Sequence, residues 1–296
     1  MSSWSETLDA LNQPGVSLDD YRLDLIRRIS GMTGRNVICY YSGWLQKDAP
    51  ASFVSIVDDD MNGFMNSVYG LDRERGLDLI LHTPGGDVAA TEAIVHYLRS
   101  CFNEIRVIVP QLAMSAGTMI ACASDVVIMG RESSLGPTDP QLRGVAAGGV
   151  LKEFDQAVKD VERAPQLAHV WQPIIGQYGP TFLGDCENAV CASQSMISEW
   201  LTEYMYRGES KPEKVKSVVD TLCEHDSSGM HNRHFSYESV RDMGIKVIRL
   251  EDSPDLQEQV LSLHHAFMCT FAMTNTVKVV EGSNGQRWIK ILNVTA

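Results

Sequence analysis

Short apolar runs alternate along this chain with stretches in which apolar residues recur every three or four positions. Asn36–Tyr41 (NVICYY), Asp78–Leu81 (DLIL), Ile105–Val109 (IRVIV) and Val126–Met129 (VVIM) have the length and composition of strands buried on both faces. Between them, Ala89–Cys101 sets Ala93, Ile94, Tyr97, Leu98 and Cys101 on one helical stripe, and Ser115–Ala123, rich in small residues, reads as a short helix. This alternation predicts βαβ units with right-handed crossovers, hence an α/β core. Residues 1–35 predict a helical lead-in, with Leu23, Ile26 and Ile29 on a stripe flanked by Arg22, Arg27 and Arg28.

After Gly149 the pattern changes. Leu151–Glu162 and Cys191–Arg207 have helical periodicity, and an irregular stretch with Trp171, Pro173, Gly176, Gly179 and Pro180 lies between them. We therefore divide the chain into a lead-in (1–35), an α/β core (36–150), a mostly helical insertion (151–226) and a segment that completes the core (227–296). That last segment predicts a helix at Tyr237–Met243, a strand at Ile245–Leu250, a long helix at Asp255–Met273, and a hairpin. The hairpin strands, Thr276–Val280 and Arg287–Leu292, are joined through Gly282, Ser283, Asn284 and Gly285.

Composition narrows the function classes. With 25 Lys+Arg against 38 Asp+Glu in 296 residues, the net charge is −13, which opposes sequence-independent nucleic-acid binding. The most apolar stretch, Val107–Ala123, is broken by Pro110, Gln111, Ser115 and Gly117, so no membrane span is expected. The first residues lack the basic and apolar regions of a signal peptide, and the seven Cys are scattered without a C-x-x-C pair. Both features fit reduced core thiols and a cytoplasmic location.

Two loops carry candidate chemistry. In Leu81–Ala93 (LHTPGGDVAATEA) a strand ends, Pro84-Gly85-Gly86 turns sharply, and a helix begins. Glycines there let backbone N–H groups approach a ligand and stabilise developing negative charge. In Val109–Met119 (VPQLAMSAGTM) a strand ends and Ser115 opens a helix, exposing its hydroxyl at the carboxyl end of the sheet. The string is not G-x-S-x-G, though the placement is that of a nucleophile elbow; the alternative role is an N-cap serine.

Together with SSLGPTDPQ at 133–141, these loops resemble the Clp/crotonase-fold serine peptidases. They are similar above all to the serine dehydrogenase proteinase group, and more distantly to signal peptide peptidase A and the Clp protease proteolytic subunit. The resemblance extends from Asn36–Trp44 through WQPIIGQY at 171–178 to Leu263-His264-His265. It implies a (ββα)n spiral core with the helical insertion, C-terminal helix and hairpin as additions. It also implies Ser115 as nucleophile, Gly85, Gly86 and the Ala116 N–H as the oxyanion site, Asp87–Val88 lining the substrate groove, a polypeptide substrate, no cofactor and a homo-oligomer.

The resemblance leaves the general base open. The position of the Clp histidine falls on Thr138, beside Asp139. Signal-peptide-peptidase relatives use a lysine, for which Lys152 is the candidate and Lys159 the reserve. His231 and His234, which flank Asn232 at the position of the third triad member, are a further option. His225, His231 and His234 match no strong zinc spacing, so no metal is expected. His82, directly before the glycine turn, is placed to orient substrate. The overall expectation is a cytoplasmic serine peptidase; a crotonase-type acyl-CoA enzyme and an inactive oligomeric scaffold are the alternatives. Nothing resembles the dinucleotide motif G-x-G-x-x-G.

Overall fold

The computed structural model of the chain describes residues 4–11, 13, 15–223 and 233–292. Helices α1 (Trp4–Leu11) and α2 (Leu18–Thr33) lead into β1 (Asn36–Ser42); α3 (Ala51–Val54) and α4 (Asp60–Val68) precede β2 (Leu77–His82). Then come α5 (Val88–Cys101), β3 (Ile105–Val109), β4 (Leu112–Ala113), α6 (Ala116–Cys122), β5 (Val126–Met129), β6 (Ser134–Leu135), β7 (Gln141–Leu142) and β8 (Val145–Ala146). The helical segment holds α7 (Ala147–Arg163), α8 (Ala168–Ile175), α9 (Phe182–Trp200) and α10 (Pro212–Cys223). Closing the chain are α11 (Tyr237–Met243), β9 (Val247–Arg249), α12 (Pro254–Met273), β10 (Thr276–Gly282) and β11 (Arg287–Ile291).

The main sheet has the strand order β11-β10-β1-β2-β3-β5-β9. From β1 to β9 all pairings are parallel, and only the hairpin strands run antiparallel. Side chains alternate between two apolar layers, as the period of a strand requires. Ile38, Tyr40, Leu79, Val107 and Val127 pack against α5, α6, α9 and α10, whereas Val37, Cys39, Tyr41, Ile80 and Ile108 pack against α2 and α12. Burial on both sides explains why these strands read as continuous apolar runs. The C-terminal hairpin extends this sheet beside β1 rather than standing apart from it. All seven cysteines are unpaired and six are buried. Among the described residues no helix is long and apolar enough to cross a membrane.

The helical segment differs from its sequence pattern. The stretch around Pro173 is α8, with the proline in its last turns, where a missing N–H costs one bond. Helix α9 begins at Phe182, nine residues ahead of Cys191, after Thr181 in left-handed backbone (φ 70). Its buried residues Phe182, Cys186, Ser193, Ile197 and Trp200 keep a helical period that polar neighbours obscure.

Between β1, β2 and α12 lies a buried aromatic cluster. His82 lies tilted against Trp44 with ring centroids 4.3 Å apart and meets His264 edge-on at 5.0 Å. Its Nδ1 accepts the Leu112 N–H at 3.4 Å, which ties β2 to β4. Burial, reinforced by His265, pushes the His264 imidazole down to about 3, and burial with His264 nearby pushes His82 well below the usual range. In the unfolded chain both protonate near pH 6.5, while in the fold they stay neutral. Stability contributed by the neutral rings is therefore present above pH 6.5 and lost as pH falls towards 3. At pH 5, His264 alone is expected to cost about 2 kcal/mol relative to pH 7.5. Urea unfolding at the two pH values checks this: the difference shrinks by that amount in His264→Gln, and equal differences in both proteins would refute it.

Candidate active site

The site forms where β2 and β3 end. After His82, Thr83 pairs with the short strand β4: its N–H donates to Leu112 O and its carbonyl accepts from Met114 N, both at 3.0 Å. The glycine turn follows, and Asp87 caps α5 by accepting the Ala90 N–H at 2.8 Å. Ile56 meets the turn from the other side. Its N–H donates to Gly85 O at 2.8 Å, and its carbonyl accepts the Asp87 N–H at 2.9 Å. A methyl group on Gly86 would stand 2.3 Å from both the N and the O of Ile56, so only glycine fits.

Across from this turn, Ser115 joins β4 to α6 with φ 51 and ψ −116, strained backbone for a residue with a side chain. Its hydroxyl makes no capping bond to α6, so the N-cap role is not the one it fills. Thr118 fixes the elbow: its Oγ1 lies 2.9 Å from both Ala113 O and Gly136 O, its single proton serving one of them, and it accepts the Gly136 N–H at 3.0 Å. The two loops touch. At Gly85 (φ +97), a methyl would lie 2.7 Å from Met114 O and from Ser115 Cβ, and 2.9 Å from Ala116 N.

Ser115, Gly85, Gly86 and Asp87 line one cleft of about 560 Å³. Its other walls come from Ser55, Val88, Ala89 and Glu92 beside the turn, from Met119, from Thr138 and Pro140–Leu142, and from Ala189, Ala192 and Met196 on α9. Ala116 is buried beside Ser115. Among the described residues, the Gly86 and Ala116 N–H groups donate to no protein acceptor. The Gly85 N–H, in contrast, donates to Thr83 Oγ1 at 3.2 Å.

Among the described residues, Lys152, Lys159 and His234 are not brought to this cleft. Lys152 is exposed on α7 and does not line it, Lys159 pairs with Asp155, and His234 is exposed. His231 and His225 lie outside the described residues. His82 faces the α12 layer instead of the cleft, which corrects its expected role in orienting substrate. Thr138, where the Clp resemblance would set a histidine, is buried, with its hydroxyl 3.2 Å from Cys223 Sγ and its N–H donating to Leu222 O. The described residues hold no cluster suited to a metal ion. Ser55, Glu92 and the α9 residues carried no motif; their place in the cleft comes from contacts between distant parts of the chain.

A mostly parallel sheet with a strained serine elbow against a glycine turn is the layout of a ClpP-like hydrolase. The chain belongs to the ClpP-like SDH-type serine proteinase family, whose profile matches residues 17–280. It is also similar to an uncharacterized protein of Methanocaldococcus jannaschii, at 40% identity over 226 residues, covering 76% of this chain and 70% of the relative. A second uncharacterized protein of the same organism is 31% identical over 139 residues, and the chain spans less than half of that relative, 46% of its length.

Proposed function

We propose that the protein hydrolyses peptide bonds through an acyl-enzyme on Ser115. The observation that carries this reading is the Ser115 backbone, strained at φ 51 and ψ −116, with a hydroxyl that caps nothing and a cleft beside it. Ser115 Oγ attacks the substrate carbonyl carbon while its proton passes to a base. The tetrahedral oxyanion takes hydrogen bonds from the Gly86 and Ala116 N–H groups; Gly85 supplies close approach, since its own N–H is committed to Thr83. The proton then moves to the leaving amine, the C–N bond breaks, and water releases the acid by the same steps in reverse.

For the base, the candidates are Lys152, His234 and His231, the last outside the described residues, and substituting each singly and reading the fluorophosphonate labelling rate assigns it. A short strand follows two of the long ones, β4 after β3 and β6 after β5, which supports reading the core as a (ββα)n spiral. Seven unpaired thiols support a cytoplasmic setting, and by its family resemblance the protein works as a homo-oligomer.

A fluorophosphonate probe tests the serine chemistry. Wild type is expected to carry one adduct, mapped by mass spectrometry to the peptide containing Ser115, and Ser115→Ala none. No adduct on wild type, or an adduct that survives in Ser115→Ala, overturns the proposal in favour of the acyl-CoA or scaffold readings.

A further inference from the structure

The cleft beside Ser115 is chemically lopsided. Towards α6, α9 and the β7 turn it is mostly apolar, lined by Met119, Leu142, Ala189, Ala192 and Met196, with Thr138 and Gln141 as the polar residues on that side. Towards α5 it presents two carboxylates, Asp87 and Glu92, and among the described lining residues there is no Lys, Arg or His. Asp87 has a structural task, since one of its oxygens caps α5. Glu92 has none: half-buried in the wall, it makes no hydrogen bond or ion pair with any described residue. It stands one helical turn beyond Val88, on the face of α5 turned to the cleft. Elsewhere on this acidic surface carboxylates recruit partners, as Glu209 does with Lys246 and Glu238 with Arg249.

We propose that Glu92 is a specificity residue. In this reading the cleft selects peptides that place an apolar side chain against Met119, Leu142 and Met196, and a basic side chain, Lys or Arg, against Glu92. The inference rests on the acyl-enzyme reading and adds the substrate class to it. A partly desolvated carboxylate without a counter-charge is stabilised when a cation arrives and destabilised when a second carboxylate does. Discrimination therefore comes both from attraction of basic peptides and from repulsion of acidic ones. The apolar wall gives a smaller contribution of its own, because an apolar pocket discriminates weakly between side chains of similar size.

Peptidyl diphenyl phosphonates test this. They phosphonylate a serine nucleophile: Oγ bonds to phosphorus, phenoxide leaves, and the hydroxyl proton passes to the base. Three probes share a reactive Leu analogue and carry Lys, norleucine or Glu at the adjoining residue. Each rate is divided by the rate of the plain fluorophosphonate on the same protein. Wild type is expected to favour the Lys probe over the Glu probe by about tenfold or more at low salt, with the ratio falling as ionic strength rises. Glu92→Gln is expected to bring the ratio near one, and Glu92→Lys to reverse it. A wild-type ratio near one, a ratio unchanged in Glu92→Gln, or no reaction with any peptidyl probe while the plain probe labels Ser115 overturns the role of Glu92. Failure of the plain probe as well overturns the acyl-enzyme reading beneath it.

Discussion

Replacing Ser115 by glycine is expected to abolish hydrolysis and at the same time make the protein more stable. Without the hydroxyl, peptide hydrolysis should fall by about 10^4-fold or more, since the oxyanion donors alone cannot supply a nucleophile. Stability moves the other way because of the backbone. Holding a residue with a Cβ at φ 51 and ψ −116 costs roughly 1–3 kcal/mol. Glycine removes most of that cost and adds back about 0.5–1 kcal/mol of unfolded-state entropy. The net gain is about 1 kcal/mol, or roughly 2 °C in Tm for a chain of this size. Ser115→Ala keeps the Cβ and the strain, so its stability should match wild type within about 0.5 kcal/mol. Denaturant unfolding of the three proteins checks the order. A glycine variant less stable than the alanine variant would show that the elbow stores no strain.

The core strands were legible because each is buried on both faces: Ile38 and Cys39, or Leu79 and Ile80, serve opposite apolar layers, and the charged positions Asp78 and Arg106 pair with each other near the strand starts. The glycine turn and Ser115 were legible for a different reason, because a backbone that must approach within van der Waals contact of another strand or elbow admits few residue types. The far wall of the cleft was not. Ala189, Ala192 and Met196 look like any amphipathic helix, and only the packing of α9 against α6 brings them near Ser115. Helix α8 was hidden by Pro173 and Gly176, which mark irregular backbone on average but fall at the end of a short helix here. The base is a third kind of gap. The Clp resemblance would set a histidine at Thr138, where this chain has none, so the proton acceptor follows from no local pattern.

One determinant of the site has no motif at all, although it braces the glycine turn. Lys278, in the middle of β10, is fully buried. Its ammonium donates to Ser55 O at 2.6 Å and to the two Asp60 carboxylate oxygens at 2.8 and 2.9 Å. Asp60 also accepts the Tyr40 hydroxyl at 2.8 Å and the Val57 N–H at 3.0 Å. Ser55 and Val57 flank Ile56, the residue whose N–H and C=O hold Gly85 and Asp87. A charge pair between Lys278 on the hairpin and Asp60 on α4 thus fixes the loop that fixes the turn. Burial pushes the Lys278 amine down, and Asp60 opposes that shift, so the ammonium depends on its partner.

Lys278→Met is therefore expected to destabilise the protein by about 3–5 kcal/mol, the cost of leaving one member of a buried ion pair uncompensated. The methionine fills most of the lysine stem's volume, so little of this loss comes from a cavity. Adding Asp60→Asn removes the stranded charge while keeping acceptors for Tyr40 and Val57, and the double variant should recover about half of the loss. Urea unfolding of the four proteins in this cycle gives the coupling directly. Below the unfolding transition, Lys278→Met should also label more slowly with the fluorophosphonate, because Ile56 then holds Gly85 and Asp87 less firmly. A loss under about 1 kcal/mol, or a double variant worse than the single one, would mean that the pair is dispensable and the turn is held by its backbone bonds alone.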